Sequence, residues 1–340
     1  MTASDALKNT WSAVALEASG APGCYHRRIP LACSWPAHAG IHRPTDARLL
    51  ILESEAKSVH GLRPKGEAKG YSITVDPDET GRRDRVTIRI QEVTTGFREI
   101  FTIFCADILE HWVPHAEAAD ALKSLTARLA RWRRFFQRGT LAGLGREEYV
   151  GLYGELSLIE AGLAADLDPA NLVGAWQGPS GTNQDFLLGP DAVEVKTTTG
   201  NEIDKVRITN ARQLDSTGVE ALFLAHYVFD FRQDSGRTLP QLIHSLRTTL
   251  AVSSIETLST LNDRLLDAGF LDGTPNEHDS WGFTPRHSAV FAVGATFPRV
   301  LESGLPQGVS EISYTLNLST AAAFQITHTD FWTHIHSSYA

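Results

Sequence analysis

The sequence predicts an α/β protein with a β-rich N-terminal domain. Three observations carry that expectation: strand-like apolar runs up to about Val113, a change to helical spacing from Leu122 onward, and a mixture of strand and helix patterns through the remainder.

Taken in order, LLILE (49–53), YSITV (71–75), VTIRIQEV (86–93) and EIFTIF (99–104) read as strands, with turn-rich pieces such as PDETG (77–81) between them. Leu122, Leu125, Leu129, Trp132 and Phe136 then recur at spacings of three and four, which predicts a helix ending near Gly139. Its other face gathers Lys123, Arg131, Arg134 and Arg138, a candidate nucleic-acid-tracking stripe. Between Ala121 and Arg146 lie seven basic residues (those four with Arg128, Arg133 and Arg146) and no acidic one, inside a chain of net charge −9. A second helix is expected over 146–165, with Tyr149, Leu152, Leu156, Ile159 and Leu163 on one stripe and Glu155 at its half-buried edge. Glycines at 151, 154 and 162 on its flank predict close approach of another element, because each costs a helix up to about 1 kcal/mol.

After a loop at 177–184, DFLLGPDAVEVKTTT reads as a β-hairpin. If it turns on Pro190-Asp191, Gly189 faces Ala192, Leu187 faces Glu194 and Asp185 faces Lys196. Asp185, Glu194 and Lys196 then share one face, and Val193 and Val195 take the other. A strand at 221–229, helices at 239–250 and 255–268, and strands at 289–293 and in SEISYTLNL complete the chain. The expected domains are 1–118, 119–235 and 236–340.

Composition narrows the function classes. The net acidity argues against indiscriminate nucleic-acid binding, since phosphates are neutralised by Lys and Arg. Three cysteines, no leader pattern and no membrane-length apolar stretch point to a reducing, cytoplasmic setting. Neither a phosphate-binding GxxxxGK[ST] loop, a GxSxG elbow nor a dinucleotide fingerprint is present, so nucleotide hydrolysis would fall to a partner.

The Asp185, Glu194 and Lys196 set carries chemistry. Two carboxylates on one sheet face repel unless a divalent ion neutralises them, and an ammonium beside the same site stabilises charge that develops on a phosphate. An isolated Glu-x-Lys is ordinarily a solvated strand face. The upstream Asp, the half-buried Glu155 on the preceding helix, and the order helix, strand, strand favour a site instead.

These residues resemble the PD-(D/E)xK restriction-endonuclease-like superfamily: GLYGEL supplies Glu155, NQDF supplies Asp185, and VEVK supplies Glu194 and Lys196. Gln184 replaces the proline of the family name. Over roughly 149–318 the chain also resembles a family of PD-(D/E)xK proteins found in bacterial defence islands, through GLYGEL, Trp176, Pro179, NQDF, VEVKT, ITNARQLD and LPQGVSEISYTLNL. The resemblance implies a restriction-endonuclease-like core, a mixed central β-sheet flanked by helices. It implies a DNA endonuclease using Mg²⁺ or Mn²⁺ held by Asp185, Glu194, the Val195 carbonyl and Glu155, with Lys196 assisting the nucleophilic water and Gln213 presenting a polar group. Implied partners are double-stranded DNA, other defence proteins such as an ATPase or methyltransferase, and a second copy of the chain, with no membrane. The competing expectation is an inactive nuclease-like scaffold that binds DNA or protein.

Two further clusters carry weaker signals. Cys24, His26, Cys33, His38 and His42 match no zinc-knuckle spacing. Asp330, His334 and His336 read as an exposed amphipathic tail.

Overall fold

The computed structural model describes residues 2–18, 20–61, 70–77, 82–93, 98–137 and 143–339. They form two compact units, Met1–Ala142 with Asp272–Thr274, and Gly143–Leu271 with Pro275–Ala340.

The first unit begins with a helix the strand-like pattern did not announce, α1 (Ala3–Glu17). Thr2 and Asp5 close a capping box at its start, and Trp11 on its buried face donates to the Leu49 carbonyl at 3.0 Å. Strands β1 (Gly23–Arg28), β2 (Ala37–Arg43), β3 (Ala47–Glu55), β4 (Tyr71–Pro77) and β5 (Arg85–Glu92) make an antiparallel sheet in the order β1-β2-β3-β5-β4. Helices α2 (Arg98–Trp112) and α3 (Ala118–Gln137) follow.

The segment EIFTIF is therefore helix, which corrects the strand expected at 99–104. In the longer window Ile100, Phe101, Phe104, Cys105, Ile108, Leu109 and Trp112 fall on a helical stripe and are buried. α3 belongs to this unit although the expected boundary at 118 placed it with the core. The reason is its stripe: Trp132 and Phe136 pack around Phe104, and Phe136 meets Tyr71 edge-on at 5.4 Å.

The second unit is built on α4 (Arg146–Ala164), α5 (Pro169–Ala175), β6 (Phe186–Leu188), β7 (Asp191–Thr198), β8 (Lys205–Ile208), β9 (Leu222–Gln233), β10 (Arg237–Thr238), α6 (Leu239–Ser253), α7 (Ile255–Ala268), β11 (Trp281–Ala292), β12 (Tyr314–Asn317), β13 (Gln325–Ile326) and α8 (His328–Ser338). A six-stranded sheet runs β10-β11-β9-β7-β6, with β13 on β11, and β8 pairs separately with β12. β7 and β9 are parallel and the other pairs antiparallel, so the sheet is mixed. Residues 236–340, expected to complete or flank the core, supply four strands of this unit.

One face of the sheet buries Val193, Val195, Phe223 and Ala225 beneath Tyr149, Leu152 and Leu156 of α4. The other buries Ala192, Leu222 and Leu224 with Val206, Ile208 and Leu316 of the β8-β12 ribbon. Two glycines expected to permit close packing do so: a Cβ at Gly154 would stand 1.8 Å from Thr197 Oγ1, and one at Gly162 would stand 2.7 Å from Leu172 Cδ2. α8 is docked rather than an exposed tail, because Phe331 and Ile335 enter the core. No helix among the described residues is long and apolar enough to cross a membrane.

Candidate active site

The hairpin turns one residue earlier than expected, which shifts every cross-strand partner by two. Phe186 pairs with Val193, Leu187 with Ala192 and Leu188 with Asp191, leaving Gly189-Pro190 as the loop. Gly189 has φ +64°, a conformation glycine adopts without the steric cost a side chain carries and one suited to a two-residue hairpin loop. Because side chains alternate with period two, a shift of two residues keeps every side chain on its face. Glu194 and Lys196 still share a face with Asp185, but Asp185 is now level with Glu194 instead of Lys196.

β6 is only three residues long, so the edge of β7 is unpaired from Glu194 onward. Asp185 occupies that gap. Its Oδ2 accepts the Val195 N–H at 2.8 Å, a donor an edge strand would otherwise leave free. Its carbonyl accepts from Gln177 N at 2.6 Å and Gly178 N at 3.0 Å, which brings the 177–178 loop against it.

Glu155 reaches the same place from α4. Trp176, fully buried, donates its indole N–H to Glu155 Oε2 at 2.6 Å. Gly178 allows the approach: a Cβ there would lie 2.4 Å from Glu155 Oε2 and 3.2 Å from Asp185 Oδ1. Glu194 is 1% exposed. Lys196 Nζ stands 2.7 Å from Glu194 Oε1 as an ion pair, and Glu194 Oε2 accepts no hydrogen bond from a described residue.

Burial and mutual repulsion hold all three carboxyls above their ordinary range. Glu155 is pushed up to about 8, first by burial and then by Asp185, against the opposing pull of Trp176 and Lys196. Burial raises Asp185, opposed by the Val195 N–H and Lys196. Glu194 is raised well above its usual value by burial, with Asp185 next and Glu155 adding, while Lys196 opposes. A concentration of acidic groups facing one ammonium is an unbalanced site.

The three carboxylates and Lys196 line a cavity of about 490 Å³. Arg146 from the start of α4 and Lys205 and Arg207 from β8 line it too. Arg207 is exposed and has no ion-pair partner among the described residues, whereas Lys205 pairs with Glu202 at 2.5 Å. Gln213 also lines the cavity, from a single turn of 3₁₀ helix. Its Oε1 accepts from Thr209 N at 2.9 Å and closes a capping box with Asn210.

A family described as "Putative PD-(D/E)XK family member" (DUF4420) matches residues 7–319. The chain belongs to this family. No curated protein and no solved structure gives a match.

The PD-(D/E)XK signature thus maps onto elements that meet at one cavity. Gln184, where the family name has proline, donates to the carbonyls of Arg212 (2.8 Å) and Asp215 (3.2 Å) and so anchors the turn bearing Gln213. The signature itself could not reveal Trp176 and Gly178 as the groups that seat Glu155, or Arg146, Lys205 and Arg207 as cavity cations. The alternation KVRI at 205–208 was the available signal for the last two. Glu148 caps the start of α4 and Glu160 pairs with Arg237, so neither joins the cluster.

The candidate nucleic-acid residues Lys123, Arg131 and Arg134 lie on α3 in the first unit, the first and last exposed and Arg131 half-buried. Arg138 lies outside the described residues. Arg128 is not part of a basic face: it is buried, and its Nε donates to Asp107 Oδ2 at 2.9 Å. In the Cys/His cluster, His26 Nδ1 lies 3.3 Å from His38 Nδ1, and His38 Nε2 lies 2.9 Å from Glu53. Near the C-terminus, His334 meets buried Asp191 at 3.0 Å, His336 the Ala165 carbonyl at 2.7 Å, and Asp330 the capping hydroxyl of Thr327. These are structural contacts of α8.

Among the described residues no group of three or more His, Cys, Asp or Glu side chains is placed so that it could hold a metal ion. The donors nonetheless suit a hard divalent cation. All are carboxylate oxygens, Glu194 Oε2 has no hydrogen-bond donor among the described residues, and the Gly178 niche keeps Glu155 and Asp185 together.

Proposed function

We propose that this chain is a nuclease that hydrolyses phosphodiester bonds in double-stranded DNA with Mg²⁺ or Mn²⁺, as a cytoplasmic component of a bacterial restriction or anti-phage system. The observation that carries the reading is the convergence of Glu155, Asp185, Glu194 and Lys196 on one cavity at the open edge of β7, around a signature the family shares. In this reading the sheet and helices of the second unit are a restriction-endonuclease-like core.

Asp185 and Glu194 would hold the cation, with the Val195 carbonyl, and Glu155 would orient a water or hold a second ion. The cation supplies charge compensation for the carboxylates and polarisation of the phosphate. Glu155, steadied by Trp176, positions the attacking water. Lys196 places its ammonium beside the same carboxylates, where it stabilises charge developing on the phosphate oxygens. Arg146, Lys205 and Arg207 neutralise flanking phosphates, and Gln213 fixes the wall that faces them. Cutting both strands with one centre per chain calls for two copies, and nucleotide-driven steps would fall to partners such as an ATPase or methyltransferase.

The test is incubation of the purified chain with duplex DNA and Mg²⁺ or Mn²⁺. Expected is cutting that EDTA abolishes and that is lost in Lys196→Ala and in Asp185→Ala. Cutting that survives in both variants, contaminants excluded, removes the assignment. A wild-type chain that binds DNA but never cuts it, whatever metal is supplied, establishes the scaffold instead.

A further inference from the structure

The helix α4 separates two cavities. Glu155 and Gly151 look into the catalytic one, while Tyr153, Ser157 and Glu160 line a second of about 760 Å³, within the range of small-molecule sites. Its floor is aromatic. Tyr153 stacks on Phe283 with centroids 3.7 Å apart, Phe229 meets Tyr153 edge-on at 5.1 Å, and Tyr227 lies parallel to Phe229 at 11°. Of these rings only Tyr227 is half-buried; the other three are fully packed, so Tyr227 is the platform a ligand can reach.

Its wall comes from β11, whose register against β9 shifts between Pro285 and His287. Such a bulge re-aims side chains, and Pro285, Arg286, His287 and Ser288 in succession face the cavity. Arg286, 40% exposed, lies 3.5 Å from Asp230, and His328 joins the rim 3.0 Å from Ser288 Oγ. Arg237 is held by Glu160 at 2.8 Å, whereas Arg286 sits more loosely, 3.5 Å from Asp230, and is the rim cation a ligand can engage.

The hydroxyls of Tyr153 and Tyr227 open onto this cavity and have no hydrogen-bond partner among the described residues, which leaves both free to pair with a ligand. A lipid chain would leave both unpaired and the cations unused. A planar ring with hydrogen-bonding edges and an attached anion would stack, pair the hydroxyls and meet the rim.

We propose that this cavity binds a nucleotide, its base stacked on Tyr227 and hydrogen-bonded to the hydroxyls of Tyr153 and Tyr227, its phosphate met by Arg286 and His287. A free mononucleotide and a nucleotide of a nucleic-acid strand share this chemistry. The site extends beyond the nuclease reading and stands or falls apart from it, because binding can be read without cutting.

The experiment is calorimetric titration of the full chain in EDTA with each ribo- and deoxyribonucleoside monophosphate, with short single-stranded and duplex oligonucleotides, and with inorganic phosphate and benzoate. Expected is saturable binding of at least one nucleotide-bearing ligand, weakened about tenfold by Tyr227→Phe, which removes one hydrogen bond, and similarly by the surface substitution Arg286→Ala. Both variants should unfold at the wild-type temperature. Binding by monophosphates assigns a free nucleotide, and binding by oligonucleotides alone assigns a strand. No binding by any nucleotide, preference for benzoate, or affinity that ignores both substitutions overturns the proposal.

Discussion

Replacing Glu155 with glutamine makes the electrostatics of the carboxylate cluster measurable. The variant keeps an oxygen for the Trp176 donor and removes only the charge. In the wild-type fold Glu155 holds its proton to about pH 8, whereas the unfolded chain releases it near the ordinary 4.5. A folded state that binds more protons loses stability as pH rises, so the effect develops between pH 4.5 and 8. At roughly 1.4 kcal/mol per pH unit the integrated loss is on the order of 3–5 kcal/mol, which the glutamine variant does not suffer. Glu194 is shifted in the same direction in part by Glu155 and is relieved by the same substitution, so its contribution has the same sign. Urea unfolding in EDTA across roughly pH 4 to 9 should show the Glu155→Gln variant gaining on wild type through that window, with the two converging at its acid end. Mn²⁺ should restore part of the wild-type loss, about 2.7 kcal/mol at a hundredfold excess over Kd. A difference between the proteins that does not change with pH, in EDTA, would refute the reasoning.

Three further outcomes follow from named contacts. Gly178→Ala places a Cβ 2.4 Å from Glu155 Oε2, so calorimetric Mn²⁺ affinity should fall tenfold or more with little change in unfolding temperature. An unchanged affinity would show that the niche does not matter. Gly154→Ala should destabilise by about 1–3 kcal/mol through the clash with Thr197 Oγ1, less about 1 kcal/mol of helix propensity, and Thr197→Ala should reverse the clash; additive effects in that urea-unfolding cycle would count against it. Arg207→Ala should weaken duplex binding in EDTA and lower the salt slope by about 1, and an unaltered slope would place the phosphate path elsewhere.

The sequence by itself determined much of this protein: the strands at 49–53, 71–75 and 86–93, the helices α3, α4, α6 and α7, and the common face of Asp185, Glu194 and Lys196. The last survived a register error because strand alternation has period two, which an even shift preserves. The register itself was not legible, since which residues turn depends on Gly189 adopting positive φ beside Pro190. EIFTIF misled because a six-residue apolar run fits either period, and only burial along the whole of α2 decides. What the tertiary structure alone decided is which distant groups meet: Trp176 on Glu155, Gly178 between two carboxylates, Asp185 on the Val195 amide, and Arg207 at the cavity. Those contacts arise where a three-residue strand leaves its neighbour's edge unpaired, and the length of one strand against another is fixed by packing across the sheet.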